Sequence, residues 1–118
     1  MPPHCSASGK LLLAFKPVEE RTKILENLPL EQFTHRTITD RHLLESEMER
    51  IVSTGYAVDN EEYVLGVSCV AVPVRDALGE VVAAIAVHAA TARLPLNQAM
   101  EHIPKLKEAS ERISQTLS

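Results

Sequence analysis

Aromatic residues are scarce: two Phe, two Tyr and no Trp in 118 residues. A stacking platform for single-stranded nucleic acid needs more than Phe15, Phe33, Tyr56 and Tyr63 spread along a chain. Positive charge is short as well. Twelve Lys and Arg stand against sixteen Asp and Glu, for a net charge of −4. Nucleic-acid binding calls for a basic face that neutralises phosphates, and the basic residues here are scattered. Two cysteines, Cys5 and Cys69, make no disulfide framework, which points to a reduced, cytoplasmic setting. No apolar run approaches the ~18 residues of a membrane span. No basic stretch followed by an apolar one opens the chain, so no signal peptide is expected. No internal repeat, low-complexity tract or linker is visible. What is present is ordinary globular composition, 45% hydrophobic and 24% charged, enough for one domain over residues 1–118.

The pattern predicts helices and one hairpin. Pro2 and Pro3 keep the start extended. A helix is predicted from about Ser6 to Phe15, with Ala7, Leu11, Ala14 and Phe15 on one face and Ser6 as cap. Gly9 weakens its interior, which suits a close approach to its backbone. A second helix starts at Pro17, with Val18, Leu25 and Leu28 as its buried stripe and Pro29 as its stop. A third is capped by Asp40, with Thr39 as the rival, and buries Leu44, Met48, Ile51 and Val52. Gly55 ends it. Tyr56–Gly66 mixes strand and loop signals and carries Asp59, Glu61 and Glu62. Ser68–Val74 and Glu80–His88 read as strands, joined by a turn at Asp76–Gly79. Leu94–Leu117 reads as helical with a stripe of Leu96, Met100, Ile103, Leu106, Ile113 and Leu117, kinked or divided at Pro104.

If the turn pairs Val74 with Val81, Val72 faces Ala83 and Val70 faces Ile85. Side chains alternate across a strand. One face then carries Val70, Val72, Val74, Val81, Ala83, Ile85 and Val87, bulky and suited to a core. The other carries Val67, Cys69, Ala71, Ala84, Ala86 and His88. That face is small. Either a helix packs very close to it or space is left for a ligand.

Individual motifs carry little alone. Ser8-Gly9-Lys10 is not a P-loop, because position 4 is His and Leu follows Lys10. A helix N-terminus near Ser6–Ser8 presents free N–H groups and a positive dipole end, which suit a carboxylate. The alternative is a capped helix without a ligand. Neither cysteine sits in a nucleophile signature, and a cysteine in an apolar strand is usually a small buried side chain. His4, Cys5, Asp59, Cys69 and His88 are of types that suit zinc. No local spacing joins them. Lys105, Lys107 and Arg112 read as a solvated helix face.

Four segments, in order, resemble the effector domain of IclR-type transcription regulators. They are His4-Cys5-Ser6-Ala7-Ser8-Gly9-Lys10-Leu11-Leu12-Leu13-Ala14, Thr34-His35-Arg36-Thr37-Ile38-Thr39-Asp40, Gly55-Tyr56-Ala57-Val58-Asp59-Asn60-Glu61-Glu62, and Gly66-Val67-Ser68-Cys69-Val70-Ala71-Val72-Pro73-Val74. The resemblance implies an α/β (α+β) sensor of GAF-like or profilin-like shape, with an antiparallel sheet and flanking helices. It implies that the first strands of such a sheet are missing here, and that the winged helix-turn-helix is not in this chain. It also implies a pocket for a small carboxylic acid, such as glyoxylate or pyruvate, or for a larger acid. The ligand carboxylate would meet the N–H groups of Ala7 and Ser8. Asp59 would be the pocket acid, Cys69 the pocket cysteine and Val67 a hydrophobic position. Two serines of keto-acid-binding members would fall at Ala86 and His88, and this sequence lacks both.

The expectation is therefore an effector-sensing domain of a transcription regulator, with no catalytic residues and no cofactor. It would act as a homo-oligomer, dimer or tetramer, without membrane contact, reaching DNA through a separate domain. Two alternatives remain. One is a metal-binding sensor or hydrolase built on His4, Cys5, Asp59, Cys69 and His88. The other is a structural oligomerisation module.

Overall fold

The computed structural model describes residues 2–117. Eight elements follow one another: α1 (Ala7–Ala14), α2 (Val18–Asn27), α3 (Arg41–Thr54), β1 (Ala57–Asn60), β2 (Val67–Arg75), β3 (Val81–Ala90), α4 (Leu96–Met100) and α5 (Ile103–Thr116). The strands form one antiparallel sheet in the order β1-β2-β3. Helices cover both of its faces.

Helix ends fall where cap chemistry puts them. Ser6 Oγ accepts from Gly9 N at 3.0 Å, which starts α1 one residue later than the pattern predicts. Asp40, not Thr39, caps α3, accepting from His42 N and Leu43 N. Gly55 ends α3 at φ 79°, a left-handed backbone that glycine adopts without steric cost. Pro17 is the residue before α2, and Pro104 opens α5, so the final segment is two helices and not one kinked helix.

Two packed clusters flank the sheet. On one face Ala7, Leu11, Leu13 and Ala14 of α1 meet Leu25 of α2, Leu44, Met48 and Ile51 of α3, and Ala57, Cys69 and Ala71 of the sheet. On the other, Val58, Val70 and Val72 pack with Ala99 of α4 and Ile103 at the start of α5. Each large side chain buried in this way contributes roughly 1.5–3 kcal/mol. Some predicted core positions lie outside. Val18 is 64% exposed, Val52 47%, Ile113 43% and Leu117 47%. In α2 the side chain buried on that side is Arg21, whose Nη1 donates to Ala14 O at 3.1 Å and caps the end of α1. Lys107 is exposed, as expected of a solvated face, and also donates to Thr54 O at 3.3 Å.

The hairpin register differs from the expectation by two residues. Val74 pairs with Ala83, Val72 with Ile85 and Val70 with Val87, with an irregularity between Val74 and Arg75. The turn is longer than a tight one because Asp76 Oδ1 accepts from both Leu78 N and Glu80 N. A two-residue slip preserves the alternation, so the two faces keep nearly all their members. Val81 is the exception. It pairs with Arg75 across the irregularity and packs with the α1 cluster, not with Val72.

Candidate functional site

The small face of the sheet is packed by α1. Ala7, Leu11 and Ala14 share one cluster with Ala57, Cys69, Ala71, Ala84 and Ala86. Along Ala71, Ala84 and Ala86 the small side chains therefore serve close approach of a helix. One rung further along, the face turns polar. Asp59 of β1 pairs with Cys69 of β2, and Cys69 pairs with His88 of β3. These three form one line across the sheet.

Asp59 and Cys69 are buried, at 4% and 1% exposure, while His88 is exposed. His88 Nε2 lies 3.6 Å from Cys69 Sγ. β3 continues to Ala90, so His88 stands inside the strand and not at its end. Burial pushes the Asp59 carboxyl up to about 6, opposed by the Glu62 N–H it accepts. The same cause, reinforced by the Asp59 charge, pushes the Cys69 thiol up to about 12 and Cys5 to about 11. Both thiols are protonated at neutral pH, which removes the thiolate that nucleophilic or redox chemistry needs.

Ala7 and Ser8 are the first two residues of α1. In helix geometry their N–H groups have no partner within the helix. Ser6 Oγ takes Gly9 N and Ser6 O takes Lys10 N. Ala7 is fully buried in the cluster that holds Cys69. Val67, the hydrophobic position implied by the resemblance, is partly buried and pairs with Ala90. Ala86 pairs with Ala71.

His4 and Cys5 go elsewhere. His4 Nε2 lies 2.8 Å from Glu31 O, a carbonyl that only accepts, so Nε2 carries the proton. Nδ1 is then buried without a hydrogen-bond partner among the described residues. Cys5 Sγ donates to Pro2 O at 3.6 Å. No group of three or more His, Cys, Asp or Glu side chains is placed to hold a metal ion among the described residues.

The sequence reading missed Lys10 and Glu62. Lys10 is fully buried, and its Nζ donates to Glu62 Oε1 and Oε2 at 2.9 and 3.1 Å. Glu62 Oε2 also accepts from Asn60 N at 2.9 Å, and Glu62 N donates to Asp59 Oδ1 at 2.7 Å. Thr34 Oγ1 donates to Glu61 O, and Thr37 Oγ1 to Glu62 O. The four resembling segments thus meet at the Asp59–Glu62 loop. A signal was available: a lysine at a core-facing position one turn into a helix needs a buried carboxylate partner, and Glu61 and Glu62 were the acidic run at hand.

A cleft of ≈ 570 Å³ opens at the other end of α1, lined in part by Phe15, Arg21, Val52, Arg75 and Val81. It shares no residue with the Asp59–Cys69–His88 rung. No helix among the described residues is long and apolar enough to cross a membrane.

The fold is that of a small mixed α/β domain with a polar rung on the sheet face that α1 covers. Residues 1–115 match the family model "Bacterial transcriptional regulator IclR C-terminal". The chain is 38% identical over 116 residues to "Probable transcriptional regulator SauR" of Cupriavidus necator, covering 98% of this chain and 46% of that protein. A crystal structure of Thermotoga maritima IclR superposes with TM-score 0.89 at 38% identity, over 98% of this chain and 47% of the other. The inducer-binding domain of PobR from Acinetobacter, a double mutant in complex with 3-hydroxybenzoic acid, superposes with TM-score 0.91 at 30% identity, over 97% and 66%. The chain belongs to the IclR family of bacterial transcriptional regulators and corresponds to its C-terminal domain. It spans less than half the length of the curated relatives it matches. Those relatives are regulators, and the chain belongs with them, not with an enzyme family.

Proposed function

We propose that this domain senses a small carboxylic acid and thereby controls DNA binding by a winged helix-turn-helix elsewhere in the full-length regulator. The observation that carries the reading is the Asp59–Cys69–His88 rung, on the face that α1 covers, with the Ala7 and Ser8 N–H groups at the start of that helix. The ligand carboxylate binds those N–H groups, where amide donors and helix dipole both favour an anion. Asp59 accepts from a ligand hydroxyl or hydrated carbonyl. His88 bonds the ligand's other polar end. Val67 and Ala86 supply the apolar margin.

The PobR domain supports the reading, since an acid is bound to a neighbour of the same fold. Assembly as a dimer or tetramer, in the cytoplasm, is part of the proposal. β3 has no strand on its outer side among the described residues, and such an edge favours pairing with further chain.

The test is a thermal-shift series with glyoxylate, pyruvate and 3-hydroxybenzoate, each beside its amide. A ligand that binds only the folded state raises the melting temperature as its concentration exceeds the dissociation constant. At least one acid raises it and the matching amide does not. A flat response to all three acids contradicts the proposal for these acid types.

A further inference from the structure

Neither Lys10 nor Glu62 is assigned to the ligand, yet Glu62 N holds the buried acid that is, Asp59, at 2.7 Å. The Lys10 ammonium sits between the Glu62 carboxylate at 2.9 Å and Glu47 Oε2 of α3 at 3.6 Å, fully removed from water. Taking two charges out of water is costly, and an apolar pair of similar size generally holds two elements together as well or better. The location of the pair is therefore informative. Every polar group of Glu62 is engaged: its carboxylate by Lys10 of α1 and Asn60 N, its N–H by Asp59, and its carbonyl by Thr37 ahead of α3. Glu61 beside it has φ 55°, a left-handed backbone that residues with a side chain adopt at a cost. A loop so shaped and so fully tied fixes the orientation of Asp59 relative to α1, because Lys10 belongs to α1 and lies one turn after Ala7.

We propose that Lys10 and Glu62 are positioning residues of the ligand site: their buried ion pair clamps the Asp59–Glu62 loop to α1, so that the Glu62 N–H holds Asp59 at a fixed place relative to the Ala7 and Ser8 N–H groups. This deepens the carboxylate-sensing reading and rests on it for the role of Asp59. The clamp acts through geometry that a purely stabilising pair has no need of, since stability is served equally by apolar residues.

The experiment compares the full chain with Glu62→Gln and Lys10→Met/Glu62→Gln. Two readouts are taken: the NMR proton shift of the residue-62 amide in the absence of ligand, and calorimetric affinity for pyruvate. An amide donating to a carboxylate at 2.7 Å resonates downfield. In both variants that resonance moves upfield and pyruvate affinity falls roughly tenfold or more, the scale of one hydrogen bond to a charged group. A folded variant with the residue-62 amide unmoved and pyruvate affinity unchanged overturns the proposal. If the double variant does not fold, Glu62→Gln alone decides, because it keeps the shape of the side chain. If wild type does not bind pyruvate, the carboxylate reading fails for small keto acids, and the amide shift still decides the clamp.

Discussion

Cys69 and His88 stand opposite each other across β2 and β3, with Sγ 3.6 Å from Nε2. The thiol is buried and held protonated, while the imidazole is exposed. With the thiol protonated, the contact is a weak sulfur hydrogen bond, not a pairing with a thiolate. His88 is therefore free to turn its ring toward a ligand at little energetic cost.

His88→Ala follows from this. An exposed side chain in weak contact contributes little to the fold, so the change in stability stays within about 0.5 kcal/mol. Binding of the acid selected by thermal shift weakens by about 0.5–1.5 kcal/mol, the scale of one hydrogen bond. Denaturant melts and titration calorimetry on the same samples check both halves.

Asp59→Asn changes the pH dependence of stability. The folded carboxyl is raised from 3.8 to about 6, so the folded state binds the proton more tightly than the unfolded one. Well below pH 3.8 both states are protonated and Asp59 costs nothing. As pH rises from there through 6 the unfolded state ionises first, and stability is lost. Well above pH 6 the penalty levels off at about 3 kcal/mol. Asn removes it while keeping an oxygen acceptor for Glu62 N. The variant's margin over wild type is expected to be small at pH 4 and to widen by pH 7.5 in urea melts. Equal stability at pH 7.5 would show that Asp59 is not held uncomfortably.

Lys10→Met leaves Glu62 buried without its main partner. Breaking one side of a buried ion pair costs about 3–5 kcal/mol. Pairing it with Glu62→Gln removes the stranded charge, so the double variant is expected to be more stable than Lys10→Met alone. A double variant weaker than the single one, in chemical denaturation, contradicts this.

Gly9→Ala opposes helix propensity. Alanine gains about 1 kcal/mol over glycine inside a helix. Here its Cβ would lie 2.5 Å from Ser6 Oγ and 2.6 Å from Pro3 Cα. The Pro3 backbone cannot swing away as a side-chain end does. The expected net loss is about 1–3 kcal/mol, read as a lower melting temperature than wild type.

Much of this was legible in the sequence, for particular reasons. The caps at Ser6 and Asp40 and the stop at Gly55 are local, so the residues alone place them. The two hairpin faces survive a wrong register because the slip is even, as strand alternation has period two. Val18 and Val52 were misplaced because burial on a helix depends on what lies opposite, and nothing within α2 or α3 records that. Lys10 was missed for the same reason: its partner is 52 positions away. Strand alternation put Cys69 and His88 on one face and the resemblance added Asp59; the observed register joins the three as one rung.

Cys69→Leu tests the central claim most directly. Cys69 lies at the middle of the rung and is packed with Ala7. A larger side chain there fills the space between α1 and the sheet, at an overpacking cost of about 1–3 kcal/mol. Cys69→Ser, close in size, serves as the control. Both variants are confirmed folded by circular dichroism and titrated calorimetrically with the acid that shifts the wild-type melting temperature. The account predicts no measurable binding to Cys69→Leu and wild-type-like binding to Cys69→Ser. Wild-type affinity in a folded Cys69→Leu variant would contradict it, and the small face would then serve helix packing alone.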